Sequence, residues 1–129
     1  MHQSALVGQF LKNHSTAIDI IISSAALRAS TTAQLIAEQL GSGNELMYVN
    51  DDLYQASVGT LFEILRSGDE HHNIAIVGHN PTISYFAEFL TESELDDMRP
   101  ATALILKLSI GSWKELQKGS AVLLDRFDA

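Results

Sequence analysis

At 129 residues and 14.1 kDa the chain has the length of one domain, 1–129, able to bury roughly two-thirds of its unfolded surface in a single core. With 46% hydrophobic residues, 19% charged residues and no cysteine, it is not disordered, not a disulfide framework, and has neither a thiolate nucleophile nor a thiolate zinc site. Eight Lys+Arg against 16 Asp+Glu leave a net charge of −8, which argues against nucleic acid and other polyanions but allows a small phosphate site built from one or two cations.

Four stretches carry helical periodicity. Leu6, Val7, Phe10 and Leu11 put one apolar face on a helix from about Gln3 to Asn13. Ile18–Ile22 follows as a strand buried on both faces, since nearly every residue is apolar and β-branched. Ala29, Ala33, Ile36 and Leu40 mark a second helix that Gly41 stops. After a weaker strand, Leu46–Val49, the spacing of Val58, Leu61, Phe62 and Leu65 predicts a third helix with Ser57 as its N-cap. Asn73–Gly78 reads as a second buried strand. Ile83, Phe86, Ala87 and Leu90 give a fourth helix, with Asn80 at the N-cap and Pro81 in the first turn. The acidic residues Glu92, Glu94, Asp96 and Asp97 read as a solvated loop. Thr102–Ile110 and Ser120–Phe127 read as antiparallel strands joined by a turn around Gly111–Gly119. The alternation defines an α/β fold with a mostly parallel sheet. No apolar run approaches the ~18 residues of a membrane span and the start has no leader pattern, so a cytoplasmic protein without membrane association is expected.

Ligands of an open parallel sheet gather beyond the carboxyl ends of its strands. Two such junctions carry suitable residues: Ser23 through Ala33 after the first strand, and Val77-Gly78-His79-Asn80-Pro81 after the third. Each places backbone N–H groups of a helix start beside a polar side chain, which suits an anion. Arg28 adds a planar fork for two phosphate oxygens, and His79 adds a donor at the mouth. A lone arginine in a first helical turn is ordinarily a surface residue, and a histidine before a helix cap is ordinarily structural. On the residues alone the reading therefore stops at an anion-binding α/β domain.

Ser23–Ala33, then Leu53-Tyr54-Gln55-Ala56-Ser57, then Val77–Pro81 together resemble the histidine phosphatase superfamily, within it the SixA-type phosphohistidine phosphatases. Met98-Arg99-Pro100-Ala101-Thr102-Ala103, Trp113 and Gly119-Ser120-Ala121 extend the likeness, which runs from Gly8 onward. The resemblance implies a phosphoglycerate mutase-like three-layer α/β/α fold. It implies phosphoryl transfer to a histidine nucleophile followed by hydrolysis, without metal or cofactor. A phosphate-bearing partner, such as a phosphohistidine protein, would be the substrate. By motif position, Arg28 and His79 would be the catalytic clamp, with Arg28, His79 and Asn80 binding substrate.

Two departures set further expectations. The family's nucleophile lies in an Arg-His pair at the end of its first strand, and none of His2, His14, His71, His72 or His79 follows an arginine. The chain is accordingly expected to lack that strand, on the order of 30 residues with its loop, and to be inactive as it stands. It would have an open place in its sheet, through which a homodimer could form. The alternative is a non-catalytic phosphate-binding or protein-interaction module. Gln55 stands where relatives often carry a glutamate proton donor, and an amide releases no proton at useful pH. An imidazole leaving group tolerates that loss better than an alkoxide, which favours phosphohistidine over ester substrates. His71-His72 with Asp69 or His79 is read as solvated rather than metal-binding, Asp51-Asp52 lacks the spacing of aspartate phosphatases, and Tyr54 and Trp113 are read as packing aromatics.

Overall fold

Ile20–Ser24 (β1) is the middle strand of a three-stranded parallel sheet, flanked by Met47–Asn50 (β2) and Ile74–Val77 (β3). The register sets Ile22 opposite Tyr48 on one side and Ile76 on the other. Thr102–Leu108 (β4) and Ala121–Asp128 (β5) form a separate antiparallel hairpin, interrupted by a bulge after Ile105. The helices are His2–Asn13 (α1), Leu27–Gln39 (α2), Val58–Arg66 (α3) and Thr82–Thr91 (α4). This computed structural model describes residues 2–14, 17–41, 44–68, 71–95 and 102–128.

Side chains alternate across a strand, so β1 feeds two cores at once. Ile21 is buried with Val7 of α1 and Ala33, Ile36 and Ala37 of α2. Ile22 is buried with Leu61, Phe62 and Leu65 of α3 and Phe86 and Leu90 of α4. The hairpin joins both cores, with Leu106, Leu108 and Ala121 on the α3–α4 side and Ala103 and Phe127 on the α1–α2 side. Helix pairs thus cover both faces of a mostly parallel sheet, the three-layer α/β arrangement expected of the sequence. Among the described residues no helix is long and apolar enough to cross a membrane.

β1 begins and ends two residues later than the apolar run Ile18–Ile22. The run stops at Ile22, but Ser23 and Ser24 stay in the strand with 0% exposure. They can do so because their hydroxyls are bonded, Ser23 Oγ donating to the Ser24 carbonyl at 2.9 Å and Ser24 Oγ lying 2.8 Å from His79 Nε2. β2 is likewise one residue later than Leu46–Val49. β3 was expected to be buried and is instead half-buried along its length. Among the described residues it pairs with β1 alone, β4 pairs with β5 alone, and no ladder joins the two sheets.

Gly8 lets α1 lie close on α2, since a Cβ there would stand 2.7 Å from Cβ of Gln39. Phe10 then stacks on Phe127, ring centroids 5.0 Å apart. Gly41 ends α2 in the left-handed region at φ 78°. Ser57 caps α3 as expected, its Oγ accepting the Thr60 N–H at 3.2 Å. Asn80 does not cap α4: Pro81 occupies the N-cap position, and Asn80 Oδ1 accepts the Ser84 hydroxyl at 2.6 Å instead. Ile83 N–H already bonds to the His79 carbonyl and Tyr85 N–H to that of Pro81, so the turn before the helix is closed by backbone. Trp113 packs on the α3–α4 core and donates its indole N–H to the His71 carbonyl. Arg66 clamps the same hairpin turn from α3, with Nε and Nη2 both donating to the Leu116 carbonyl at 3.1 and 2.6 Å. Glu92 and Glu94 are exposed, as expected of a solvated loop. Asp69, Asp96, Asp97, Met98, Arg99, Pro100 and Ala101 lie outside the described residues.

Asp19 holds the starts of β1 and β3 in step. Its carboxylate accepts the N–H groups of His72 at 2.8 Å and Asn73 at 2.9 Å, while its own N–H donates to the Asn73 carbonyl. The bonds from Asn73 and then His72 hold its pKa below the ordinary 3.8. A lowered folded-state pKa means stabilisation that is complete above the unfolded value and lost as pH falls through the folded one. Asp19→Ala is therefore expected to cost about 1 kcal/mol at neutral pH. Thermal melts of variant and parent should converge as the pH drops below 3.8.

Candidate functional site

α2 leaves β1 toward one face of the sheet and α4 leaves β3 toward the other. Where the connections of adjacent strands diverge in this way, a crevice opens at their carboxyl ends. Here it holds a cavity of about 380 Å3 lined by Tyr54, Gln55, Gly78, His79, Asn80 and Pro81, among others. Two of the expected site residues, His79 and Asn80, are thereby at the cavity wall.

His79 is half-buried and bridges the two strand ends. Its Nε2 lies 2.8 Å from Oγ of Ser24, the last residue of β1, and that oxygen also accepts the Ala26 N–H at 3.2 Å. Tyr54 and the imidazole form a T-shaped ring pair, centroids 6.2 Å apart and planes at 88°. Tyr54 is 57% exposed and lines the cavity, so the aromatic read as a packing residue packs at the cavity wall, against His79. The loop carrying it is tied to α4 by the Thr82 hydroxyl, which donates to the Ala56 carbonyl at 3.0 Å.

Arg28 is the second residue of α2, exposed, and its guanidinium has no ion pair or hydrogen bond among the described residues. It rises from the same junction as Ser24 but is not among the residues lining the cavity. The N-cap residue Ala26 makes no side-chain cap, so the first N–H groups of α2 have no capping side chain. Asn80 is exposed and its amide oxygen is engaged by Ser84. His71 and His72 lie at the opposite end of β3, before Ile74, where the backbone N–H of His72 serves Asp19. Among the described residues no three His, Asp or Glu side chains gather as a metal-binding set.

The arrangement sets an imidazole and the start of α4 at the cavity wall, groups that suit an anion, while the Arg28 guanidinium stands on the neighbouring junction outside that lining. Apolar periodicity carried no trace of the Ser24–His79 bond, which spans 55 positions. Nor did it show that Gln55 takes the left-handed conformation, φ 59°, at the cavity wall.

No family model matches the chain. Two uncharacterized proteins of Mycobacterium tuberculosis, MT1313 and Rv1276c, are each 27% identical over 134 residues, covering 96% of this chain and 82% of theirs. Among solved structures the fold matches a candidate phosphohistidine phosphatase SixA of Nakamurella multipartitia at TM-score 0.84 and 22% identity, over 98% of this chain and 80% of that one. A candidate SixA of Agrobacterium tumefaciens matches at 0.82 and 18%, over 99% and 79%. The protein histidine phosphatase SixA complexed with tungstate matches at 0.77 and 19%, over 95% and 76%. The class defined by the layers and the strand-end crevice is an α/β fold with a mostly parallel sheet. More closely, it is the fold of the SixA phosphohistidine phosphatases.

Gln55 tests how the cavity wall is held. A left-handed non-glycine residue costs about 1 kcal/mol or more, and glycine gives back part of that gain through its freer unfolded chain. Gln55→Gly is expected to raise stability by ~0.5 kcal/mol, whereas the β-branched Gln55→Val should lower it by ~1–2 kcal/mol. Urea melts of the two variants beside the parent check the pair.

Proposed function

We propose that this chain is the phosphate-binding body of a phosphohistidine phosphatase. The observation that carries the reading is the crevice between the ends of β1 and β3, where the Ser24–His79 bond fixes an imidazole at the cavity wall and Ser24 begins the junction that carries Arg28 four residues later. It is supported by the shared fold of the SixA structures, one of which is complexed with tungstate, a tetrahedral oxyanion like phosphate. Arg28 would close over two equatorial oxygens, and His79 with the α2 N-terminus would take the remaining charge, so no metal is needed. Asn80 would line the same pocket.

In this reading the nucleophile is a histidine from an Arg-His segment on a further strand, placed between the unpaired edges of β3 and β4. Its ring nitrogen forms a bond to phosphorus as the substrate's P–N bond breaks, and the substrate imidazole, already protonated by solvent at its other nitrogen, departs neutral. Water then attacks the phosphorylated histidine and releases phosphate. Gln55 gives no proton to this sequence, which suits an imidazole leaving group and not an alkoxide. The substrate would be a phosphohistidine protein, the compartment the cytoplasm, and this chain without the added strand would bind phosphate but turn nothing over. A second copy pairing at the same open edges would make a homodimer.

The test compares this chain with a form extended at its N-terminus by a strand ending in Arg-His. The extended form should hydrolyse phosphohistidine, and Arg28→Ala in it should lose ~2–4 kcal/mol of transition-state stabilisation, the scale of one preorganised donor. Less than a tenfold loss would remove Arg28 from the clamp. Failure of the extended form to bind phosphate or vanadate overturns the reading. Binding without turnover, with the NMR signals of Arg28 and His79 shifting on phosphate titration, supports a phosphate-binding module instead. Sedimentation of the unextended chain reads the dimer directly.

A further inference from the structure

We infer that Ser24 is a positioning residue that sets the proton of His79 on Nδ1, leaving that N–H as the donor offered to an anion. The inference deepens the phosphate-binding reading, because it names the atom of His79 that would meet the ligand and the residue that puts it there.

The argument is one of proton counting at a sealed oxygen. Ser24 has 0% exposure, so no water reaches its hydroxyl. Two groups lie within bonding distance of its Oγ: the Ala26 backbone N–H at 3.2 Å and His79 Nε2 at 2.8 Å. A backbone N–H only donates, so it uses an oxygen lone pair and cannot receive the hydroxyl proton. The remaining acceptor is His79 Nε2. Were Nε2 protonated in the neutral ring, two N–H groups would point at Ser24 Oγ and its own proton would be buried without a partner, which costs on the scale of a lost hydrogen bond. In neutral His79, Ser24 therefore donates to Nε2, and the ring proton resides on Nδ1.

The other edge of the ring has the complementary property. Nδ1 has no hydrogen-bond partner among the described residues, and His79 lines the cavity. Tyr54 packs against the imidazole with the two ring planes at 88°. A neutral imidazole held in this way presents a donor toward an anion. The reverse tautomer would present a lone pair and repel it.

The deciding measurement is made on the ligand-free chain. Long-range proton–nitrogen NMR at about pH 8, above the ordinary histidine range, should show His79 with a protonated Nδ1 and an unprotonated Nε2. A protonated Nε2 overturns the inference. In Ser24→Ala the proton should move to Nε2, and inorganic phosphate should bind roughly tenfold or more weakly, the scale of a lost donor to a charged group. Ser24→Thr, which keeps the hydroxyl, should restore the Nδ1 proton. A parent-like tautomer and parent-like phosphate affinity in Ser24→Ala would overturn the role of Ser24. Should no phosphate bind to the parent chain, the functional reading fails while the tautomer still decides the role of Ser24. Should the alanine variant fail to fold, the parent spectrum alone decides it.

Discussion

The burial of β1 on both faces is the constraint on which the rest of the molecule depends. Ile21 and Ile22, 0% and 6% exposed, are consecutive and so must face opposite ways, and each requires its own apolar layer. A strand so buried cannot leave its backbone unpaired, and parallel neighbours on both edges are the solution. The two helix layers follow from the two isoleucines, and the divergent departure of α2 and α4 follows from the two layers.

That divergence makes the site. A crevice at strand ends is a geometric by-product of connections that leave adjacent strands toward opposite faces, and it is there before any chemistry is placed in it. What makes it specific is the polar end of β1. Ser23 and Ser24 carry the strand two residues beyond its apolar run, and the second of them reaches His79 at the end of the neighbouring strand. A fully buried hydroxyl is tolerated in that position because it is completely bonded, and being completely bonded it has one arrangement. The rigidity of the imidazole is therefore inherited from the core. Arg28, on the first turn of α2, is the opposite kind of group, exposed and with no side-chain partner among the described residues.

Charge is distributed in keeping with this division. The chain carries −8 overall, which disfavours any broad attraction of polyanions, and local cationic and N–H groups at one strand end must do their work against that background. Other polar contacts serve the frame. Asp19 aligns the opposite ends of β1 and β3, and Arg66 spans α3 and the hairpin turn with its guanidinium 5.0 Å from the Phe62 ring. Both act on backbone groups, so they lock geometry without adding chemistry to the crevice.

Periodicity identified all four helices, because their apolar positions recur on one face, at i, i+3, i+4 and i+7 in α3 and α4 and at i, i+4, i+7 and i+11 in α2, and because Ser57 and Gly41 stand at ends in the roles those residue types favour. The strand order, by contrast, depends on which apolar faces meet, and that is a property of the assembled layers. His79 and Asn80 were legible at the strand end because their junction follows an apolar run, and the structure puts both at the cavity wall, whereas Arg28, on the other such junction, is not in its lining. That His79 is held by Ser24, that Tyr54 stands at the mouth, and that Asn80 turns to Ser84 were not, since each depends on two segments brought together by the sheet. β3 shows the same limit: its composition is that of a buried strand, yet among the described residues it pairs on one edge and it is half-buried. By itself the sequence determined local conformation, through spacing and caps that act within a few residues. Only the tertiary structure decided which polar atom faces which, because a hydrogen bond between positions 24 and 79 forms only after two cores have folded around β1.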